Sequence, residues 1–134
     1  MKDIVAGLII ENKRLLLVHN IKYGLRIEPP GGKKEDYDKT YEAATEREIR
    51  EELGIDVKVK KRFGIYPTNS PEGSTDVHMF LCERLDGQEP ISQEPKKIGE
   101  CKWYSYSELE SIREMNQLVP NLCSALPQLR SLMS

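Results

Sequence analysis

The residues best suited to chemistry stand in one run, Glu46-Arg47-Glu48-Ile49-Arg50-Glu51-Glu52-Leu53-Gly54-Ile55. If the run is helical, Glu48 lies three residues before Glu51 and four before Glu52, so the three carboxylates share one side. Clustered carboxylates repel one another unless cations sit between them, and oxygen ligands suit magnesium or manganese. A divalent metal site is one reading. The other is a solvated helix on which Arg47 pairs with Glu51 and Glu46 with Arg50, each pair worth only about 0.2–0.5 kcal/mol. Upstream, Glu28-Pro29-Pro30-Gly31-Gly32 reads as a loop, because proline removes backbone donors and glycine permits positive φ. A backbone-exposing loop joined to an acidic helix favours the metal.

The elements that must hold these groups can be read on either side. Residues 40–53 are strong helix formers; Thr40 can cap their start, and Gly54 stands where a left-handed terminating residue belongs. Ala44 and Ile49, with Tyr41, are expected to face the core. Two strands, 3–10 and 14–18, are joined by the polar turn Glu11-Asn12-Lys13 as a hairpin. Alternation returns at Val57 and Val59 and again over 77–81, with 67–73 between them read as a loop. Lys58, Lys60, Lys61 and Arg62 are expected on a solvated strand face. A further strand is expected over 102–105, then a helix that Ser107 caps with Glu110 closing a capping box. Pro120 and Pro127 punctuate a final helical stretch. Strands before and after a central helix, with helices at the end, give an α/β (α+β) class with a mixed sheet between helices.

At 134 residues, with 38% hydrophobic and 31% charged side chains, the chain suits one globular domain over 1–134. A net charge of −2 disfavours a nucleic-acid polymer as partner. The apolar run 4–10 is short and broken by Gly7, so it reads as a strand rather than a signal sequence, and nothing approaches the roughly 20 residues that span a bilayer. No membrane partner is expected. Cys82, Cys101 and Cys123 are odd in number and far apart, which suits reduced thiols in a cytoplasmic protein. With only His19 and His78 beside them, zinc has little support.

Gly32, Arg47-Glu48, Glu51-Glu52 and Leu53-Gly54-Ile55 make the sequence resemble the Nudix family, whose signature is a glycine, a spaced glutamate, then R-E-U-x-E-E-x-G-U with U apolar. The second half matches at every fixed position, and the resemblance covers 32–55, with the flanking stretch 28–35 also similar. The family separates its glycine and arginine by fourteen residues. Here Gly32 and Arg47 are fifteen apart, so the first glutamate of the family falls near Asp38 or Lys39, and only Asp38 carries a carboxylate.

The resemblance implies a hydrolase, dependent on Mg²⁺ or Mn²⁺, that cuts the pyrophosphate link of a nucleoside diphosphate derivative. It implies that Glu48, Glu51 and Glu52, with Gly32, hold the metal, and that one of these glutamates or an outlying one takes a proton from the attacking water. Arg47 would orient a glutamate through a charge-assisted bond. Many relatives add a glutamate from a loop before a late tryptophan; Glu94 and Glu100 both precede Trp103 and both are candidates. Trp103 itself is expected in the core. Glu28 and Asn121 are the expected substrate contacts, Asn121 standing where relatives place a base-reading asparagine. Three activities compete. A MutT-like nucleoside triphosphate pyrophosphatase is favoured by the short segment before Gly32, by the Pro-Gly-Gly loop and by Asn121. An ADP-ribose pyrophosphatase is suggested by Pro71, sixteen residues beyond Ile55. A binding module that has lost catalysis would be expected to have lost the glutamates. The expected partner is a small nucleotide, and the protein is expected to be a monomer or homodimer.

Overall fold

Strand β1 (Ile4–Glu11) turns through Asn12 and Lys13, with φ of 51° and 64°, into β2 (Arg14–Asn20), in a computed structural model that describes residues 2–70 and 73–134. Two left-handed central residues form the turn whose twist suits an antiparallel hairpin. The pairing is brief: only Ile10 with Leu15 and Glu11 with Arg14 face each other before the strands part. Beyond that point β1 takes other neighbours. Its residues 4–6 pair antiparallel with β4 (Gly31–Lys33), and its opposite edge runs parallel to β6 (Gly73–Arg84). Strand β2 pairs with β3 (Arg26–Glu28) and with β7 (Ile98–Tyr104), and β5 (Val57–Ser70) closes the edge beside β6. The result is a mixed sheet of seven strands among the described residues.

Alternation along these strands builds a core on each face. Leu15, Leu17, Ala6 and Leu8 point to one side, where they pack with residues of α2 (Tyr106–Glu114) and α3 (Pro120–Leu129). Leu16, Val18 and Ile9 point to the other, against Ile49 and Leu53 of α1 (Tyr41–Leu53). The expected mixed sheet between helices is what forms. Ala44, Ile49 and Leu53 have no exposed surface, and each of the two larger side chains contributes roughly 1.5–3 kcal/mol by burial. Tyr41 packs against the same cluster. Helix α1 starts and stops where its sequence directs: Thr40 Oγ1 accepts from the Ala43 N–H at 2.9 Å, and Gly54 adopts φ 68° while its N–H reaches the Arg50 carbonyl.

Three expectations are corrected. The 28–32 segment is not all loop, because Gly31 and Gly32 belong to β4, and neither has a positive φ. Gly31 lies opposite Ala6, so close that a Cβ would meet the Val5 and Ala6 backbone. Glycine is needed there for room, not for a left-handed turn. Within 67–73, residues 67–70 continue β5 and Gly73 begins β6 instead of forming a loop, with Pro67 opposite Asp76 and Ser70 opposite Gly73, while residues 71 and 72 lie outside the described residues. Proline is tolerated because β5 is an edge strand. The cap of α2 is Ser105, two residues before the expected Ser107, and Glu108 completes the capping box. Among the described residues no helix is long and apolar enough to cross a membrane.

Candidate active site

Where β1 leaves β2 for β4, a cleft of about 430 Å³ opens, and its walls include Glu28, Gly32, Glu48 and Asn121. Four residues scattered through the sequence are thereby brought to one cavity. Glu28 arrives on β3, Gly32 on β4, Glu48 on α1, and Asn121 on the first turn of α3. The link between α2 and α3 is drawn beside β3 by the Ile27 N–H donating to the Gln117 carbonyl and the Val119 N–H donating to the Ile27 carbonyl. Asn121 is consequently buried, and its Nδ2 faces Thr68 Oγ1 at 3.5 Å across the cleft.

Arg47 organises the acidic helix. Its Nε and Nη2 donate to both oxygens of Asp38, at 2.8 and 2.7 Å, in the planar fork that only arginine offers. Nη2 also donates to the Lys33 carbonyl at 3.1 Å, tying the helix to β4. Nη1 donates to Glu48 Oε1 at 3.0 Å and to both oxygens of Glu51, at 2.9 and 3.1 Å. Asp38, buried itself, also accepts the Glu35 N–H. The Arg47 bonds hold its carboxyl below the usual range, and the same contacts, Asp38 first, raise the arginine pKa. The one-residue insertion thus leaves an acid beside the arginine. The pairing of Glu46 with Arg50 does not form: Arg50 bonds Asp56, and Glu46 accepts the Val59 N–H.

Burial distinguishes the three glutamates. The Glu51 side chain is half exposed. Glu48 is more enclosed, and desolvation raises its pKa against the opposing pull of Arg47. A Cβ on Gly32 would overlap the Glu48 carboxylate, so the glycine reserves the space that this acid fills. The Glu52 side chain is only 3% exposed, and burial pushes its carboxyl up to about 8, with Lys97 pulling the other way. Its Oε1 accepts the Gly31 N–H at 3.3 Å. A carboxylate so placed calls for a neighbouring cation. Among the described residues no three acidic, histidine or cysteine side chains already converge to hold a metal ion. Yet the donor set fits a divalent cation: it is oxygen only, and it includes two acids disfavoured as bare anions.

Glu94 and Glu100 part company. Glu94 Oε2 lies 3.9 Å from Lys97 Nζ, which in turn lies 3.6 Å from Glu52 Oε2. Glu100 turns to His19 Nδ1 at 3.4 Å and Lys102 at 3.5 Å. The structure brings Glu94 beside the acidic helix and leaves Glu100 on β7 outside the cleft. Lys97 was missed by sequence reasoning, although its spacing of three from Glu94 was a signal. Trp103 is half-buried against the α1-side core, with the Arg84 guanidinium 5.6 Å from its ring centre. Pro71 lies outside the described residues.

The match to known proteins follows the same outline. The NUDIX domain family model covers residues 1–122. No curated protein matches the chain. Solved structures do. A NUDIX hydrolase from Nitrosomonas europaea superposes with TM-score 0.76 at 20% identity, over 95% of this chain and 86% of that one. The MutT protein from Methanosarcina mazei Go1 gives 0.74 at 20%, over 97% and 93%. An ADP-ribose pyrophosphatase from Streptococcus suis gives 0.63 at 23%, over 79% and 75%. With an acidic helix, a glycine-bearing strand and a mixed sheet in place, and with the family model matching residues 1–122 of 134, the chain is a member of the NUDIX family.

Proposed function

We propose that the protein is a divalent-metal-dependent pyrophosphohydrolase of the MutT type, converting a nucleoside triphosphate to a nucleoside monophosphate and pyrophosphate. The observation that carries this reading is the cleft whose walls Glu48, Gly32 and Asn121 share. Glu48, Glu51 and Glu52, beside Gly32, would hold Mg²⁺ or Mn²⁺. Bound there, the cation supplies Lewis-acid polarisation of phosphoryl oxygens and charge for the leaving pyrophosphate. The chain itself does the positioning. Arg47, locked by Asp38, orients Glu48 and Glu51 through its Nη1 donor. Glu94, beside Lys97, is the acid outside the helix best sited to take a proton from the attacking water. Asn121 can donate to and accept from a base edge, and Glu28 offers an acceptor across the same cavity.

The ADP-ribose reading has less support, because it rested on Pro71. The inactive-module reading has less still, since Arg47 and all three glutamates are in place. The test is a panel of nucleoside triphosphates and ADP-ribose with magnesium, reading kcat/KM and products. Triphosphates should be cleaved more efficiently, and Asn121→Ala should flatten discrimination among bases. Better turnover of ADP-ribose, giving AMP and ribose 5-phosphate, would replace the substrate while leaving the metal site standing.

A further inference from the structure

Lys97 is held at an unusual junction. Its N–H donates to the Glu94 carbonyl at 2.9 Å and its carbonyl accepts the Ile21 N–H at 2.8 Å, so the backbone is fixed while the long side chain can pivot. The side chain is about a third exposed and also lines the cleft that contains Glu48 and Gly32. Its ammonium stands 3.6 Å from Glu52 Oε2 and 3.9 Å from Glu94 Oε2, distances that give Coulomb attraction without a locked hydrogen bond. Among the described residues it is the cation that ion-pairs Glu52.

A divalent ion held by Glu52 would stand about 2 Å from its oxygens, and the ammonium cannot keep its present place beside it without strong repulsion. We infer that Lys97 is a two-position lysine: in the metal-free protein the internal counter-ion of Glu94, and of Glu52 once that acid is ionised, and a ligand for the phosphate chain once a divalent ion takes over that charge. The inference rests on the metal-binding reading above. It makes metal entry competitive with Lys97, and it releases the ammonium for an anionic substrate only when the metal is in place.

The experiment titrates Mn²⁺ into chelator-stripped wild type, Lys97→Gln and Lys97→Arg by calorimetry, after thermal melting has shown each variant folded. Inorganic pyrophosphate is then titrated with metal in excess. Lys97→Gln should bind metal about tenfold more tightly, since a competing charge is gone, and the metal-loaded variant should bind pyrophosphate about tenfold more weakly. Lys97→Arg, which keeps the charge, should bind metal as wild type does. Equal or weaker metal binding by Lys97→Gln, or unchanged pyrophosphate binding, would overturn the inference. Absence of metal binding in the wild type would remove the metal reading itself, and this inference with it; metal binding lost in Glu52→Gln but unmoved in Lys97→Gln would refute the lysine's role alone.

Discussion

Replacing Glu52 by glutamine should make the metal-free protein more stable at alkaline pH. Burial raises the Glu52 carboxyl from an ordinary 4.5 to about 8, so between those values the folded state holds a proton that the unfolded chain releases. Stability contributed by this group is therefore full below about pH 4.5, falls as pH rises, and is lost above about 8. For a rigid site the change amounts to about 5 kcal/mol at about 1.36 kcal/mol for each pH unit; water entry and movement of Lys97 lower it, and about 2–4 kcal/mol is expected. Glutamine has the same shape and no charge, so its variant lacks this slope. The assay is urea unfolding of both proteins in chelator at pH 5 to 9, taking the difference between them so that every other titrating group cancels. The difference should grow in favour of Glu52→Gln as pH rises. Adding Mg²⁺ at 100 times its Kd should return about 2.7 kcal/mol to the wild type and nothing to the variant. A difference that stays flat with pH, or equal magnesium stabilisation of both, would refute the reasoning.

Other outcomes follow from the same contacts. Gly32→Ala places a methyl group where the Glu48 carboxylate lies, so kcat should fall by about a hundredfold or more as the metal-holding geometry is displaced, read by steady-state kinetics. Asp38→Asn removes the negative charge and replaces one of the two acceptors of the Arg47 fork with a donor, and should cost about 3 kcal/mol in denaturant unfolding, with activity falling because Glu48 and Glu51 lose their anchor. Arg47→Lys keeps the charge without the fork; kcat/KM should drop more than tenfold with a smaller loss of stability than in Asp38→Asn, and an unaltered kcat/KM would reduce Arg47 to a surface pairing.

Much of the site was readable because its parts are local. Thr40 and Gly54 mark the ends of α1, and three glutamates at helical spacing need no tertiary information to share a face. The rest depends on contacts that sequence does not carry. Gly31 and Gly32 suggested a turn, whereas their role is set by how closely β1 and the Glu48 carboxylate approach them. Pro67, Asn69 and Ser70 resembled a loop until β6 supplied their partners across the sheet. Ser105 and Ser107 are each followed three residues later by glutamate, so both fit a capping box, and the end of β7 at Tyr104 decides for the first. Glu94 and Glu100 both precede Trp103 and are both candidates on paper; the turn that sends Lys97 towards Glu52 separates them.

The central claim, that acids of one helix hold a divalent cation that drives hydrolysis, is tested most directly by titrating Mg²⁺ into chelator-stripped protein with a nucleoside triphosphate present. Turnover should be absent without the cation, nucleoside monophosphate and pyrophosphate should appear saturably as it is added, and that recovery should be lost in Glu51→Gln and Glu52→Gln variants that remain folded. Full turnover in chelator, or wild-type recovery in both variants, would contradict it.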